Sequence, residues 1–263
     1  KAADPSIPVV MGGPHASSDP EAVLGDPATD AVVIGEGEET FTELVRLISE
    51  EGPRWNEPET LRGIAGLAVR GKAGVEYTAP RPLIEDLDSL PFPAWDLIDY
   101  KKFWRTGGMA TVGIRPYLPI FTSRGCPYRC VFCHQIFGKK FRARSPENVV
   151  EEVALIHSLG TKNIEVLDDI ANFDQDRFDR ILELMLERNL RSVLNFPNAI
   201  RADIVRPESL DLLKRVGVCE VSVAVETASP RLQKLMNKNL SLEKVSRTIN
   251  MLADRRIFTR GFF

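Results

Sequence analysis

The second half of the chain alternates short apolar runs with amphipathic stretches. Residues 119–123, 163–167, 191–196, 218–225 and the run from 257 onward have the length and apolar content of buried strands. Between them lie predicted helices. Ser145-Pro146-Glu147 opens one: an N-cap hydroxyl, proline at the first helical position, then an acid near the positive end of the dipole. Gly160 ends it. The stretch 174–188 is a second helix, with Phe178, Ile181, Leu182 and Met185 on its inward face. Pro207–Val216, 230–236 and Leu242–Asp254 complete the set. Strands alternating with helices predict a parallel sheet, and five units in series predict a barrel or part of one.

The first 50 residues carry the same rhythm in a different frame. Residues 7–11 form an apolar run closed by Gly12-Gly13-Pro14-His15. Residues 30–34 form another, closed by Gly35-Glu36-Gly37-Glu38. A helix follows, with Phe41, Leu44, Val45 and Ile48 at helical spacing. This predicts about the last third of an open α/β sheet. Residues 50–65 have linker composition, and 66–70 with 75–79 flank Gly71-Lys72-Ala73-Gly74 as a hairpin. Residues 80–118 predict an extended connector anchored by Leu87, Leu90, Phe92 and Trp95. The expected division is 1–52 for the front domain, 53–116 for linker, hairpin and connector, and 117–263 for the barrel. Residue 1 is Lys and the last residues read as a strand without a following turn, so a longer protein, cut at both ends, is expected.

Composition narrows the class. With 43% hydrophobic and 27% charged residues the chain has the balance of a globular protein. A net charge of −3 offers no global basic field, so nucleic acid is not an expected partner. No apolar run reaches the roughly 20 residues that cross a bilayer, and no signal peptide opens the chain. Only four cysteines occur, three of them between 126 and 133, which predicts a metal in a reducing, cytoplasmic compartment rather than a disulfide framework.

In a parallel barrel the working face lies at the C-terminal ends of the strands. The first strand leads into Cys126-Pro127-Tyr128-Arg129-Cys130-Val131-Phe132-Cys133. The second ends at Asp168-Asp169, the third at Asn195 with Asn198 and Arg201 beyond, and the fourth at Glu226-Thr227. Four consecutive strand ends thus carry ligands, acids or amides. Thiolates bind soft metals and iron–sulfur clusters. Cys219, inside an apolar strand, reads as a buried small hydrophobe, which leaves three thiolates and one open iron. The rival is zinc held by the three cysteines and His134.

Cys126, Cys130 and Cys133, with aromatic Phe132 before the last, resemble the signature of the radical S-adenosylmethionine (SAM) superfamily. The resemblance covers about 117 to the end. It implies a [4Fe–4S] cluster on the three cysteines, with SAM chelating the open iron through its amine and carboxylate. It implies reductive cleavage of SAM to a 5′-deoxyadenosyl radical, with an external one-electron donor of flavodoxin or ferredoxin type. Phe132 would lie beside the adenine. Asp168 and Asp169 stand where many relatives carry Gly-Gly-Glu, so one of them would hold the SAM amine; the alternative for Asp169 is a turn cap. Glu226 resembles the family's SAM-contacting glutamate; the alternative is a strand-end residue in solvent. Lys139, Lys140, Arg142 and Arg144 read as a solvated loop, with Arg142 or Arg144 in reach of the SAM carboxylate as the alternative.

The front segment, 9–15 and 30–38, looks like the end of a cobalamin-binding domain, followed by a connector like Asp86-Leu87-Asp88-Ser89-Leu90-Pro91-Phe92-Pro93. Gly12, Gly13, His15, Gly35 and Glu36 would then border cobalamin; the plainer reading of His15 and of His134 is a polar loop residue. The fold class expected is α/β: a partial (β/α) radical SAM barrel preceded by the C-terminal part of a Rossmann-like cobalamin-binding domain. The expected activity is that of a cobalamin-dependent radical SAM enzyme acting on a small molecule, a methyltransferase among the options. A radical SAM enzyme of methylthiotransferase or other type without functional cobalamin, and a zinc-stabilised binding module, are the alternatives. No catalytic residue is assigned.

Overall fold

The computed structural model is described for residues 1, 4–105, 108–112, 116–134 and 136–263. Residues 106–107 and 113–115 of the expected connector lie outside the described residues. The chain divides into two compact units: Lys1–Glu85 with His134–Gly138, and Asp86–Cys133 with Lys139–Phe263.

The first unit is built on a four-stranded sheet in chain order: β1 (Val10–Met11), β2 (Ala31–Val33), β3 (Leu67–Gly71) and β4 (Gly74–Tyr77). β1 and β2 are parallel, and the β3–β4 hairpin continues the sheet antiparallel from β2. Strand alternation sorts the apolar residues to two faces. Ala31, Val33, Leu67 and Val69 meet Leu44, Trp55, Leu61 and Ile64, whereas Val32 and Ala68 meet Ala16 and Leu24. The covering helices are α1 (Pro14–Ser18), α2 (Pro20–Leu24), α3 (Glu38–Glu51) and α4 (Pro58–Leu61). β1 is shorter than the run 7–11 predicts: the Val9 carbonyl still accepts from the Asp30 amide at 2.8 Å, but its own amide donates to the Asp30 carboxylate at 2.7 Å rather than to a strand carbonyl.

One face differs from its expectation. α3 turns Thr40 and Leu44 inward, with Leu47 and Ile48 beside them, and leaves Phe41 and Val45 50% and 44% exposed. Thr40 decides the rotation. Its hydroxyl donates to the Ala65 carbonyl at 2.9 Å and accepts from Arg81 Nε at 2.6 Å.

The second unit holds five parallel strands: β5 (Leu118–Ile120), β8 (Asn163–Val166), β9 (Val193–Ile200), β10 (Val218–Ala224) and β11 (Phe258–Phe262). Between β5 and β8 lies a small antiparallel ribbon of β6 (Ser123–Arg124) and β7 (Arg142–Ala143). Helices α5 (Pro146–Ser158), α6 (Gln175–Glu187), α7 (Pro207–Val216), α8 (Pro230–Leu235) and α9 (Leu242–Asp254) provide the crossovers. Sheet order follows chain order without reversal, the connectivity of a (β/α) barrel rather than of a doubly wound sheet. One large core joins the strands to α5, α6, α7 and α9. In it Leu118, Ile164, Leu194 and Val221 meet Ile156, Met185, Leu213 and Leu252.

The alternate residues of the same strands face the other side and are polar. Glu165, Asn195, Glu220 and Ser222 are all buried, and Glu165, Asn195 and Glu220 lie side by side across the ladder. Part of the connector packs on them. Met109 and Ala110 amides donate to Glu165 at 3.1 Å each, and the Val112 amide to Glu220 at 2.7 Å. Of the expected anchors of the connector, Leu87 is buried, Trp95 packs on the large core, and Leu90 and Phe92 are half-buried; Tyr100, not among them, also packs on that core.

Candidate functional site

Where β5 ends, the backbone is fixed by a buried carboxylate. Asp168, just past β8, accepts from the Thr122 amide and hydroxyl at 2.6 Å each and from the Ser123 hydroxyl. Burial pushes its carboxyl above the ordinary range, and these three hydrogen bonds oppose that. Asp168 is therefore spent on the start of the cysteine loop. Its neighbour Asp169 turns the other way: its carboxylate accepts from the Gly125 amide at 3.2 Å and acts on Cys126 and Cys133. Of the acidic pair, Asp169 is the member whose charge acts on the cysteines.

The three cysteines share one loop in the second unit, and ionising one affects another. Burial raises the thiol pKa of both Cys126 and Cys133. The charge of Cys133 acts on Cys126, and that of Cys130 on Cys133, in the same direction. Among the described residues no three His, Cys, Asp or Glu side chains converge on one point that could hold a single ion. A cubane cluster makes a different demand, since each thiolate takes a different iron corner. A loop of three soft thiol donors, Cys126 and Cys130 half-buried and Cys133 exposed, suits that donor set, whereas zinc requires its ligands to meet at one tetrahedral point. Cys219 stands apart in β10, where its thiol meets Asn195 Oδ1 at 2.8 Å.

A second loop grips the first. The turn after α8 supplies the Met236 carbonyl to the Val131 amide at 3.1 Å and Asn237 Nδ2 to the Arg129 carbonyl at 3.0 Å. Asn237 and Asn239 both adopt positive φ, a conformation asparagine tolerates. Between them Lys238 extends its ammonium to Glu226 at 2.8 Å and stands 5.6 Å from the centre of the Phe132 ring. Glu226 lies past the end of β10 with φ of 64°, a strained backbone for a side chain of its size. Buried Gln233 holds that turn by donating to the carbonyls of Val225 and Thr227 at 2.8 Å each. Arg201, past β9, braces both loops. Its guanidinium lies 3.7 Å from the centre of the Tyr128 ring and donates to the Lys238 carbonyl at 3.1 Å, while Asp203 pairs with it at 3.0 Å.

Cys126, Cys130, Cys133, Phe132, Asp169 and Glu226 thus belong to one connected set at the C-terminal ends of β5, β8 and β10. Sequence reasoning missed Lys238, Gln233 and Tyr128, and named Arg201 only by its place after a strand. The one available signal was the Asn-Lys-Asn pattern, two residues suited to positive φ around a lysine. Arg144 does not reach this site, since it is paired with buried Glu152 on α5 and donates to the Phe121 carbonyl at 2.9 Å.

In the first unit, Gly12, Gly13 and His15 are exposed after β1. Gly13 (φ 92°) and Gly35 (φ 75°) would each aim a Cβ into open space, so bare backbone faces outward at both strand ends. That is the surface a large planar cofactor can approach. Glu36 is buried and accepts from the Ile84 amide at 2.7 Å. A cavity of about 530 Å³ opens beside Gly35, lined by Ser17, Ile34, Gly35, Glu36, Tyr77 and Arg81 among others.

Residues 120–262 match the model of the Radical SAM superfamily, and residues 1–45 match that of the B12 binding domain. An uncharacterized methyltransferase of Pyrococcus horikoshii is 35% identical over 237 residues, 89% of this chain and 48% of that protein. The anaerobic magnesium-protoporphyrin IX monomethyl ester cyclase of Rubrivivax gelatinosus is 32% identical over 269 residues, 100% of this chain and 46% of that protein. The chain spans about half the length of these curated relatives. In fold it is similar to the radical S-adenosylmethionine methyltransferase TsrM from Kitasatospora setae, solved with cobalamin and a [4Fe–4S] cluster bound. That likeness has a TM-score of 0.74 at 22% identity and covers 97% of this chain and 49% of that one. No helix among the described residues is long and apolar enough to cross a membrane.

Proposed function

We propose, because the chain belongs to the radical SAM superfamily, that its protein cleaves S-adenosylmethionine reductively at a [4Fe–4S] cluster held by Cys126, Cys130 and Cys133. The observation that carries this reading is the three-cysteine loop at the end of the first strand of a sequential parallel sheet, with an acid and a lysine-paired glutamate beside it. When bound, the cluster supplies the electron that breaks the sulfonium bond. The chain's own residues do the placing. Asp168 fixes Thr122 and Ser123, and so the start of the loop. Asp169 and Glu226 are acceptors for the ammonium and ribose hydroxyls of SAM. Phe132 offers its ring to the adenine.

In the same reading the first unit is the C-terminal part of a cobalamin-binding domain, with Gly12, Gly13, His15, Gly35 and Glu36 bordering the cofactor. Glu36 contributes there by fixing Ile84, and the exposed glycines by close approach. The reaction is a methyl transfer to a small molecule. This is supported by the likeness to the uncharacterized methyltransferase of Pyrococcus and by the order of the two family matches. Ring closure is a second reading, favoured by the Rubrivivax relative. The electron donor is of flavodoxin or ferredoxin type and the compartment cytoplasmic.

The test is anaerobic turnover of the whole protein with SAM labelled in its methyl group, with and without cobalamin. Methyl transfer predicts label in the product and a requirement for cobalamin. 5′-Deoxyadenosine without label transfer would move the reading to ring closure or another radical outcome. Absence of 5′-deoxyadenosine would overturn the SAM cleavage.

A further inference from the structure

The cysteine loop concentrates negative charge. Three thiolates are needed to hold a cluster, and the negative charge of Asp169 acts on both Cys126 and Cys133. Two lysines act on them in the opposite direction. Lys139 acts on both Cys126 and Cys133, and Lys238 on Cys133. Their settings differ. Lys139 is half-exposed on its loop, whereas the Lys238 side chain is only 11% exposed. A charge withdrawn from water is screened less and acts over a longer range.

Lys238 is also held in place. The carbonyl of Met236 and the side chain of Asn237 bind the cysteine loop directly, at 3.1 and 3.0 Å. Arg201 ties the Lys238 carbonyl to the Tyr128 ring, inside the cysteine loop. The ammonium is left between the Glu226 carboxylate and the ring of Phe132, the residue adjacent to Cys133. If Lys238 only neutralised Glu226, a pair placed anywhere on the rim would suffice. Here the fold delivers the pair to the cysteines through three separate attachments.

We propose that Lys238 is the fixed cation that offsets the negative charge of the thiolate-held cluster and raises its reduction potential, with Glu226 moderating that effect. The proposal rests on the cluster assignment above. Lys238 touches neither substrate nor reacting atoms in this role; it acts through its field. Adding an electron to a cluster makes it more negative, so a nearby positive charge favours the reduced form, and a nearby negative charge opposes it. The two partners of one ion pair must then shift the potential in opposite directions.

The experiment is a potentiometric titration of the anaerobically reconstituted full chain without SAM, followed by electron paramagnetic resonance, with iron content measured in parallel. Lys238→Gln is expected to retain iron and shift the midpoint to more negative values. Lys238→Arg, which keeps the charge, is expected to stay near wild type. Glu226→Gln, which removes the opposing charge, is expected to shift it to more positive values. An unchanged midpoint in Lys238→Gln with iron retained, or shifts of the same sign in Lys238→Gln and Glu226→Gln, overturns the proposal. Should Lys238→Gln fail to take up iron, Glu226→Gln decides alone: an upward shift supports the proposal and no shift overturns it. A wild-type chain that takes up no iron fails the cluster assignment instead, and that outcome is distinct.

Discussion

Asp168 and Asp169 are adjacent in the chain and have opposite employments. Asp168 satisfies three donors in a buried pocket, so Asp168→Ala strands them all. Each unsatisfied buried donor costs about 1–3 kcal/mol, which predicts a loss of at least ~3 kcal/mol in urea unfolding. Asp169→Ala is expected to change stability little and to weaken SAM binding in equilibrium dialysis of the reconstituted chain. A reversal of the two phenotypes would contradict this division. His157 carries the pH prediction. Burial and the charge of Lys162 lower its pKa below the ordinary value of 6.5. The folded state therefore prefers the neutral ring. That contribution is complete above the unfolded value and is lost as pH falls through about 6.5 toward the folded value. Wild type should lose more stability between pH 7.5 and 5.5 than His157→Gln does, and equal losses would remove the effect. Sequence placed both aspartates after a strand. It did not say which faces the loop, because that depends on the backbone path of residues more than 40 positions earlier.

Helices 207–216 and 242–254 could be read to the residue because their ends are written locally. Pro207 opens one and Gly217 closes it at φ 112°, while Ser241 caps the other by accepting from the Lys244 amide. A Cβ at Gly217 would lie 2.4 Å from the Ser192 carbonyl. Gly217→Ala should therefore cost more than about 1 kcal/mol in denaturant unfolding. A neutral result would mean the turn into β10 can relax. Strand β9 was less legible. Pro197 suggests an end at 196, yet the strand runs to Ile200, and the ladder with β10 accommodates the proline by a register shift between Val221 and Val223. The face of α3 was misread for a similar reason. Thr40 gains its inward place from hydrogen bonds to Ala65 and Arg81, partners too distant in sequence to enter a periodicity argument.

For the whole molecule, the order of parts was legible and the polar lining of the sheet was not. Glu165, Asn195 and Glu220 sit in runs read as apolar strands, yet they share the face opposite the helices, where backbone amides of the connector donate to both acids. Only strand pairing reveals that these three residues are neighbours. The cysteine loop was legible because its ligands lie within one short stretch. The brace from Lys238 and Arg201 was not, because it joins residues 70 to 110 positions away to that stretch. The proposed function stands on three cysteines, and not four, holding a cubane cluster. Iron and acid-labile sulfide in the anaerobically reconstituted chain test it most directly. About four of each are expected per chain, as a [4Fe–4S] cluster requires. Cys126→Ala, Cys130→Ala and Cys133→Ala should each lose them, and Cys219→Ala should keep them. Zinc without sulfide in the wild-type chain, or an equal loss in Cys219→Ala, would contradict the claim.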